Sequence, residues 1–243
     1  MEEQNGRRSF LKGFLSLSAV IAASNLSLNK SRGFKIGKTG PTEALGMGVT
    51  GKRVKKIAVE EHCHTQGHLE WLWSKTEWEG APAEEARIKI ADIGEGRIKE
   101  MDEAGVDMQV LSLSYPDLDP FNTADAIVLA RIVNDELAEA VKQHPDRFAS
   151  FCCLPLQDPE AAADELERAV TKLGLKGVMV NETEYTPERR YSDPKYEVLY
   201  ERLAKLNVPM YLHQRESGER LIPDMIELIG SNLLDKYPGL QFI

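Results

Sequence analysis

From Lys56 onward the chain alternates between two patterns. One spaces apolar residues three and four apart, as a helix face requires, and the other is a short continuous apolar run. "RIKEMDEAGVDMQVLSL" contains both. Ile98, Met101 and Ala104 share a helical face, Gly105 suits the left-handed residue that ends a helix, and 106–113 reads as a strand. In the next unit Asp158 caps, Pro159 fits the first turn and Gly174 closes before a strand at 177–181. In the one after, Asp193 and Pro194 open a helix, Asn207 closes it, and 208–213 is a strand. A longer unit, "TADAIVLARIVNDELAEAVKQHPDRFASFCCLP", ends in a strand at 149–154. The pattern predicts six strands, at 57–62, 107–113, 149–154, 176–181, 208–213 and starting at 240–243.

Continuous apolar strands separated by helices predict a parallel sheet buried on both faces. A doubly wound open sheet and a barrel both satisfy that. No Gly-rich phosphate loop follows the first strand, which disfavours a dinucleotide fold. Ligand-type residues at the ends of strands one and five favour a TIM-type barrel, where separate strand ends converge on one mouth.

Charge changes the picture at the N-terminus. Of the net charge of -9, residues 1–56 hold 11 Lys/Arg against 3 Asp/Glu, and the remainder 19 against 36. The acidic remainder makes nucleic acid an unsuitable partner. No apolar run is long enough for a stable membrane anchor. Arg7 and Arg8, followed by "SFLK" and a short apolar stretch, look like a bacterial twin-arginine export signal. Residues 1–24 are therefore expected to be a signal peptide, 25–55 a linker, and 56–243 the barrel domain, in a periplasmic or secreted protein. Cys63, Cys152 and Cys153 form no disulfide framework; the adjacent pair reads as small core residues.

The candidate chemistry sits in "AVEEHCHTQGHLEW", residues 58–71. Alternation puts Glu60, His62 and His64 on one face of a strand, with Glu61 and Cys63 on the other. A Glu-x-His pair at a strand end suits one divalent ion, of zinc, manganese or iron. His213 ends the fifth strand, across the mouth of a barrel. His68 lies in the following loop and reads equally as ligand or structure, and His144 reads as a surface turn. Trp71, Trp73 and Trp78 follow the first strand, either as a substrate wall or as a pin for a short helix.

"KKIAVEEHCH", "RIKEMDEAGVDMQVLSL", "GLKGVMVN", "YSDPKYEVLYERLAKLNVPMYLHQR" and "LLDKYPGLQFI", in that order, resemble the metal-dependent amidohydrolase superfamily. The branch they resemble contains aminocarboxymuconate-semialdehyde decarboxylase and the dihydroxybenzoate (resorcylate) decarboxylases. The resemblance implies a distorted (β/α)8 barrel of which about six strands are present. It implies one divalent metal ion, zinc or manganese, on Glu60, His62 and His213, with His64 as a rival to Glu60. The implied activity is decarboxylation of an aromatic or unsaturated carboxylic acid, with hydrolysis of a lactone, ester or amide as the alternative. Homodimers are common in that family. The resemblance also implies a His after strand six and an Asp ending strand eight. Both are expected beyond Ile243, so the chain by itself is expected to bind metal weakly and to be inactive. Gln214, where the family more often has Pro, puts the substrate class in question.

Overall fold

The computed structural model describes residues 54–75, 84–181, 189–213 and 221–243. The export-signal residues, most of the linker, Trp78 and Gln214 lie outside the described residues. The chain divides into two units at Lys55/Lys56, and the second carries the elements that follow.

In chain order these are β1 (Ile57–Cys63), α1 (Gln66–Lys75), α2 (Glu84–Ala91), α3 (Glu95–Ala104), β2 (Met108–Leu113), α4 (Thr123–Gln143) and β3 (Phe148–Ser150). Then come α5 (Pro159–Thr171), β4 (Val178–Asn181), a 3-10 turn (Pro194–Tyr196), α6 (Glu197–Leu206), β5 (Pro209–His213), α7 (Leu221–Gly230), α8 (Leu233–Lys236) and β6 (Gln241–Phe242). Every strand pairing is parallel, in the orders β1-β2-β3 and β4-β5-β6. A parallel bridge, Cys152 to Val178, joins the two sets. The result is six parallel strands arranged as in a partial TIM barrel. Among the described residues the arc does not close, because β1 and β6 each have one neighbour.

The punctuation residues act as their chemistry predicts. Gly105 takes φ 68° and returns its amide to Met101 and Asp102, and Asn207 does the same at φ 53° for α6. Asp158 accepts from the amides of Glu160 and Ala161, and Pro159 starts α5. Gly174 differs from expectation. α5 ends at Thr171 with Lys172 as its cap, and Gly174, at φ 78°, serves the turn beyond. There the amides of Leu173 and Leu175 return to Arg168 and Ala169.

The third strand is shorter than the apolar run predicts. After Ser150 the ladder thins, with the amides of Phe151 and Cys152 still donating to Leu111 and Gly177. The amide of Cys153 donates to the side chain of Asn134 on α4, and Pro155 has no N–H. Cys152 alone keeps a bridge.

Two kinds of packing follow from the strand alternation. Outward residues such as Leu111, Leu113 and Cys63 meet Leu129, Val133 and Leu137 of α4. Val178, Val180, Met210 and Leu212 likewise meet Leu166, Leu199 and Leu203. Inward residues Val110, Phe151 and Met179, with Ala149, Tyr211 and Ile243, form the barrel interior. β1 corrects the expectation of burial on both faces: Ile57 and Val59 are 51% and 44% exposed on an edge strand. Gly177, just before β4, takes φ 143°, and a Cβ there would sit 2.4 Å from the Pro209 carbonyl. The start of β5 lies against that bare Cα.

Candidate metal centre

The register of β1 on β2 decides which side chains reach the mouth. Glu61 pairs with Leu111, His62 with Ser112 and Cys63 with Leu113, after an irregularity between Ala58 and Glu61. Because Leu111 and Leu113 face the helices, Glu61 and Cys63 turn outward and His62 turns in. On β5, Met210 and Leu212 lie in the outer core. Tyr211 and His213 therefore point inward.

The inward residues of β1 and β5 meet across the sheet. His62 Nε2 lies 3.1 Å from His213 Nε2, with ring centroids 4.4 Å apart at 73°. Glu60 Oε1 is 3.4 Å from His213 Nε2, and the Tyr211 hydroxyl donates to Glu60 Oε2. One ligand atom each from Glu60, His62 and His213 falls within 4.8 Å of the others. Strands β1 and β5 are not neighbours, so this contact requires the sheet to curl.

Arg97 of α3 fixes the end of β1. Its guanidinium donates to the carbonyls of His62 (3.0 Å), Ile90 (3.4 Å) and Asp92 (2.6 Å). It also reaches Gln109 Oε1 at 3.4 Å.

The donors fit a divalent cation. Burial, then the His213 ring, lower His62 to a pKa of about 4; Glu60 opposes this and Arg97 adds to it. His213 is also lowered, by burial, with Glu60 opposing. Both rings are neutral near pH 7, the form in which imidazole binds metal. Two neutral Nε2 atoms at 3.1 Å have at most one proton to share, and a cation satisfies both lone pairs with the carboxylate as counter-charge. His62 Nδ1 is buried without a hydrogen-bond partner.

His64 does not join them. β1 ends at Cys63, so the alternation stops one residue short, and His64 turns back into the protein. Its Nδ1 lies 2.9 Å from Nδ1 of His68, the rings stack at 5.0 Å, and His68 Nε2 reaches the Asp117 carbonyl at 3.0 Å. Burial is the first cause that lowers both, His64 to about 3 and His68 to about 4. The open question over His68 resolves to structure. Trp71 packs edge-on against Phe121, which pins α1, while Trp73 is 48% exposed. His144 caps α4 at the helix-to-strand turn.

Four polar residues near the mouth escaped sequence reasoning. Tyr211 holds Glu60. Ser112 Oγ and Asn181 Oδ1 are buried without partners on the inward faces of β2 and β4. Asp117 is buried, bonded to the Asn181 amide at 3.0 Å, and raised to about 7, chiefly by burial and then by Asp119. For Tyr211 and Asn181 a signal existed: each is on the inward alternation of its strand, two residues before or directly across from His213. Asp117 had none, since its φ of 59° belongs to an irregular loop.

A carboxylate and two imidazoles at the carboxyl ends of barrel strands are a donor set that could hold one divalent metal ion on a (β/α) scaffold. The chain belongs to the amidohydrolase family: the sequence model of the family described as "Amidohydrolase" matches residues 62–243. Among curated proteins, a gamma-resorcylate decarboxylase of a Rhizobium species is 38% identical over 214 residues, covering 77% of this chain and 65% of the relative. Among solved structures, a dihydroxybenzoic acid decarboxylase from a Polaromonas species, with bound manganese and 2-nitroresorcinol, matches with TM-score 0.65 and 34% identity. That match covers 77% of this chain and 64% of that one. A 5-carboxyvanillate decarboxylase from Novosphingobium aromaticivorans, complexed with manganese, matches with TM-score 0.65 and 29% identity over 77% and 64% of the two chains. The chain thus spans about 65% of the length of the gamma-resorcylate decarboxylases it matches.

Proposed function

We propose that the protein is a metal-dependent carboxy-lyase acting on a hydroxylated aromatic carboxylic acid. The observation that carries this is the convergence of Glu60, His62 and His213 at the barrel mouth, in a chain whose relatives decarboxylate resorcylate- and vanillate-type acids. Glu60 Oε1, His62 Nε2 and His213 Nε2 are the ligands in this reading, and manganese or zinc is the ion. A bound divalent ion supplies positive charge opposite the carboxylate and neighbouring oxygen of the acid. Phe151 and Met179 give the ring an apolar floor. Ser112 Oγ and Asn181 Oδ1 lie buried on the inward faces of β2 and β4. The whole reaction exchanges the carboxylate for a proton on the ring carbon.

The test uses the native gene product, isolated from its own host and metal-loaded, with 2,6-dihydroxybenzoate and 5-carboxyvanillate. Carbon dioxide release that disappears in Glu60→Gln and His213→Ala supports the proposal. Turnover of lactone, ester or amide substrates without carbon dioxide release moves the assignment to a hydrolase. Export by the twin-arginine route belongs to the same reading, supported by Arg7, Arg8 and the following "SFLK". So does a homodimer that ignores nucleic acid, supported by family habit and the acidic balance after residue 56. Among the described residues no helix is long and apolar enough to cross a membrane.

A further inference from the structure

Glu60 is the exposed member of the cluster, its side chain 51% accessible. A glutamate so placed ordinarily samples several rotamers and loses that freedom when it binds an ion. Here one of its oxygens is already engaged. Tyr211 donates its hydroxyl to Glu60 Oε2, and Oε1 is left facing His213 Nε2 at 3.4 Å. The tyrosine is itself seated, with ring centroids 6.1 Å from Phe151 and 6.4 Å from His213. The bond joins residues 151 positions apart, on strands with three others between them.

The two kinds of ligand are supported unequally. His62 Nδ1 has no hydrogen-bond partner, so no group on the far side of the ring orients it. Glu60 has an outer partner, and it comes from the strand that carries His213.

We propose that Tyr211 is a positioning residue of the metal centre, whose hydroxyl holds Glu60 as a one-oxygen ligand with Oε1 presented to the ion. This rests on the metal reading of Glu60, His62 and His213. Tyr211 does not touch the ion in this arrangement; it acts through the carboxylate. It also ties β1 to β5 across the interior, so both ligand-bearing strand ends share one hydrogen bond. Without the hydroxyl, Oε2 is released, and the carboxylate is free to rotate away or to offer both oxygens.

The test is zinc affinity of the 243-residue chain, measured by competition with a chromophoric chelator, in a double-mutant cycle of Tyr211→Phe and Glu60→Ala. Phenylalanine keeps the ring and its contacts with Phe151, and matched thermal midpoints check that both variants stay folded. The expected result is about 10–100-fold weaker zinc binding in Tyr211→Phe, the usual cost of losing an outer partner of a ligand. The same change made on top of Glu60→Ala is expected to cost less than about 2-fold, because the carboxylate through which Tyr211 acts is gone. Equal losses in both backgrounds overturn the proposal, since they mean that Tyr211 supports the fold instead. Unchanged affinity in Tyr211→Phe overturns it while leaving the metal centre intact. No zinc binding by the unsubstituted chain overturns this inference and the metal reading together.

Discussion

Two histidine pairs stand a few residues apart in this protein, and only one of them is a candidate for metal. His62 and His213 face each other at 3.1 Å, and His64 and His68 at 2.9 Å. Both pairs are held neutral mainly by burial. They differ in their company. The first pair has a carboxylate oxygen within reach and a partly open face, with His213 21% accessible. The second is closed in, 2% and 0% exposed, and the outer nitrogen of His68 meets a backbone carbonyl. Two imidazoles in contact are therefore not a metal site by themselves. A third anionic donor and an accessible face distinguish the candidate centre from a core hydrogen bond.

The comparison is broken most forcefully by removing one ring from each pair. His213→Ala is expected to weaken zinc binding by about 100-fold or more, beyond the loss of any outer partner, while the thermal midpoint shifts little. His68→Ala should do the reverse. It removes the His68 ring from between His64 and the Asp117 carbonyl, and is expected to cost about 2–4 kcal/mol in denaturant unfolding with zinc affinity within about 2-fold. If His68→Ala abolished zinc binding, the two pairs would not be separable.

A smaller effect follows from protonation. The folded protein holds His68 at about 4, below its ordinary 6.5, so the unfolded chain binds the proton more readily. Stability from this group is complete above pH 6.5 and falls as the pH drops through about 4. Between pH 7.5 and 5 the loss from this group is expected to be about 2 kcal/mol, read as a lower urea midpoint, and the fall is expected to be shallower by that amount in His68→Ala. Asp117 has the opposite sign. Its folded value of about 7, above the ordinary 3.8, favours the folded state at low pH, and that advantage is lost as pH rises from about 4 to 7. Asp117→Asn keeps the carbonyl that His68 uses and is expected to raise the thermal midpoint at pH 8 but not at pH 5. Unchanged midpoints at both values would show that the carboxyl of Asp117 is better solvated than its surroundings indicate.

Much of this was legible in the chain because strand and helix periods are local properties. The six strands, the caps at Gly105, Asp158 and Asn207, and the inward alternation of Glu60 and His62 all follow from neighbouring residues. His64 was misplaced by one residue of strand length, since period-two reasoning holds only while the strand continues. The third strand's pairing fails to reach Leu154 because Asn134, 19 residues away, takes the amide of Cys153. Neither event leaves a local mark. Tyr211 was hidden for a different reason: its inward position could be read from His213, but its partner Glu60 lies on another strand, and only the curl of the sheet brings them together.

Gly177 has a consequence for how this scaffold can change over time. Any side chain there collides with the Pro209 backbone, and φ 143° excludes nearly every residue but glycine. The spacing of β4 and β5 is thereby frozen at the end of the barrel remote from the mouth, and with it the register that sets Asn181 beside His213. The mouth residues can diverge toward new substrates without the strands slipping beneath them. Adaptability at the site depends on one position elsewhere that has almost none.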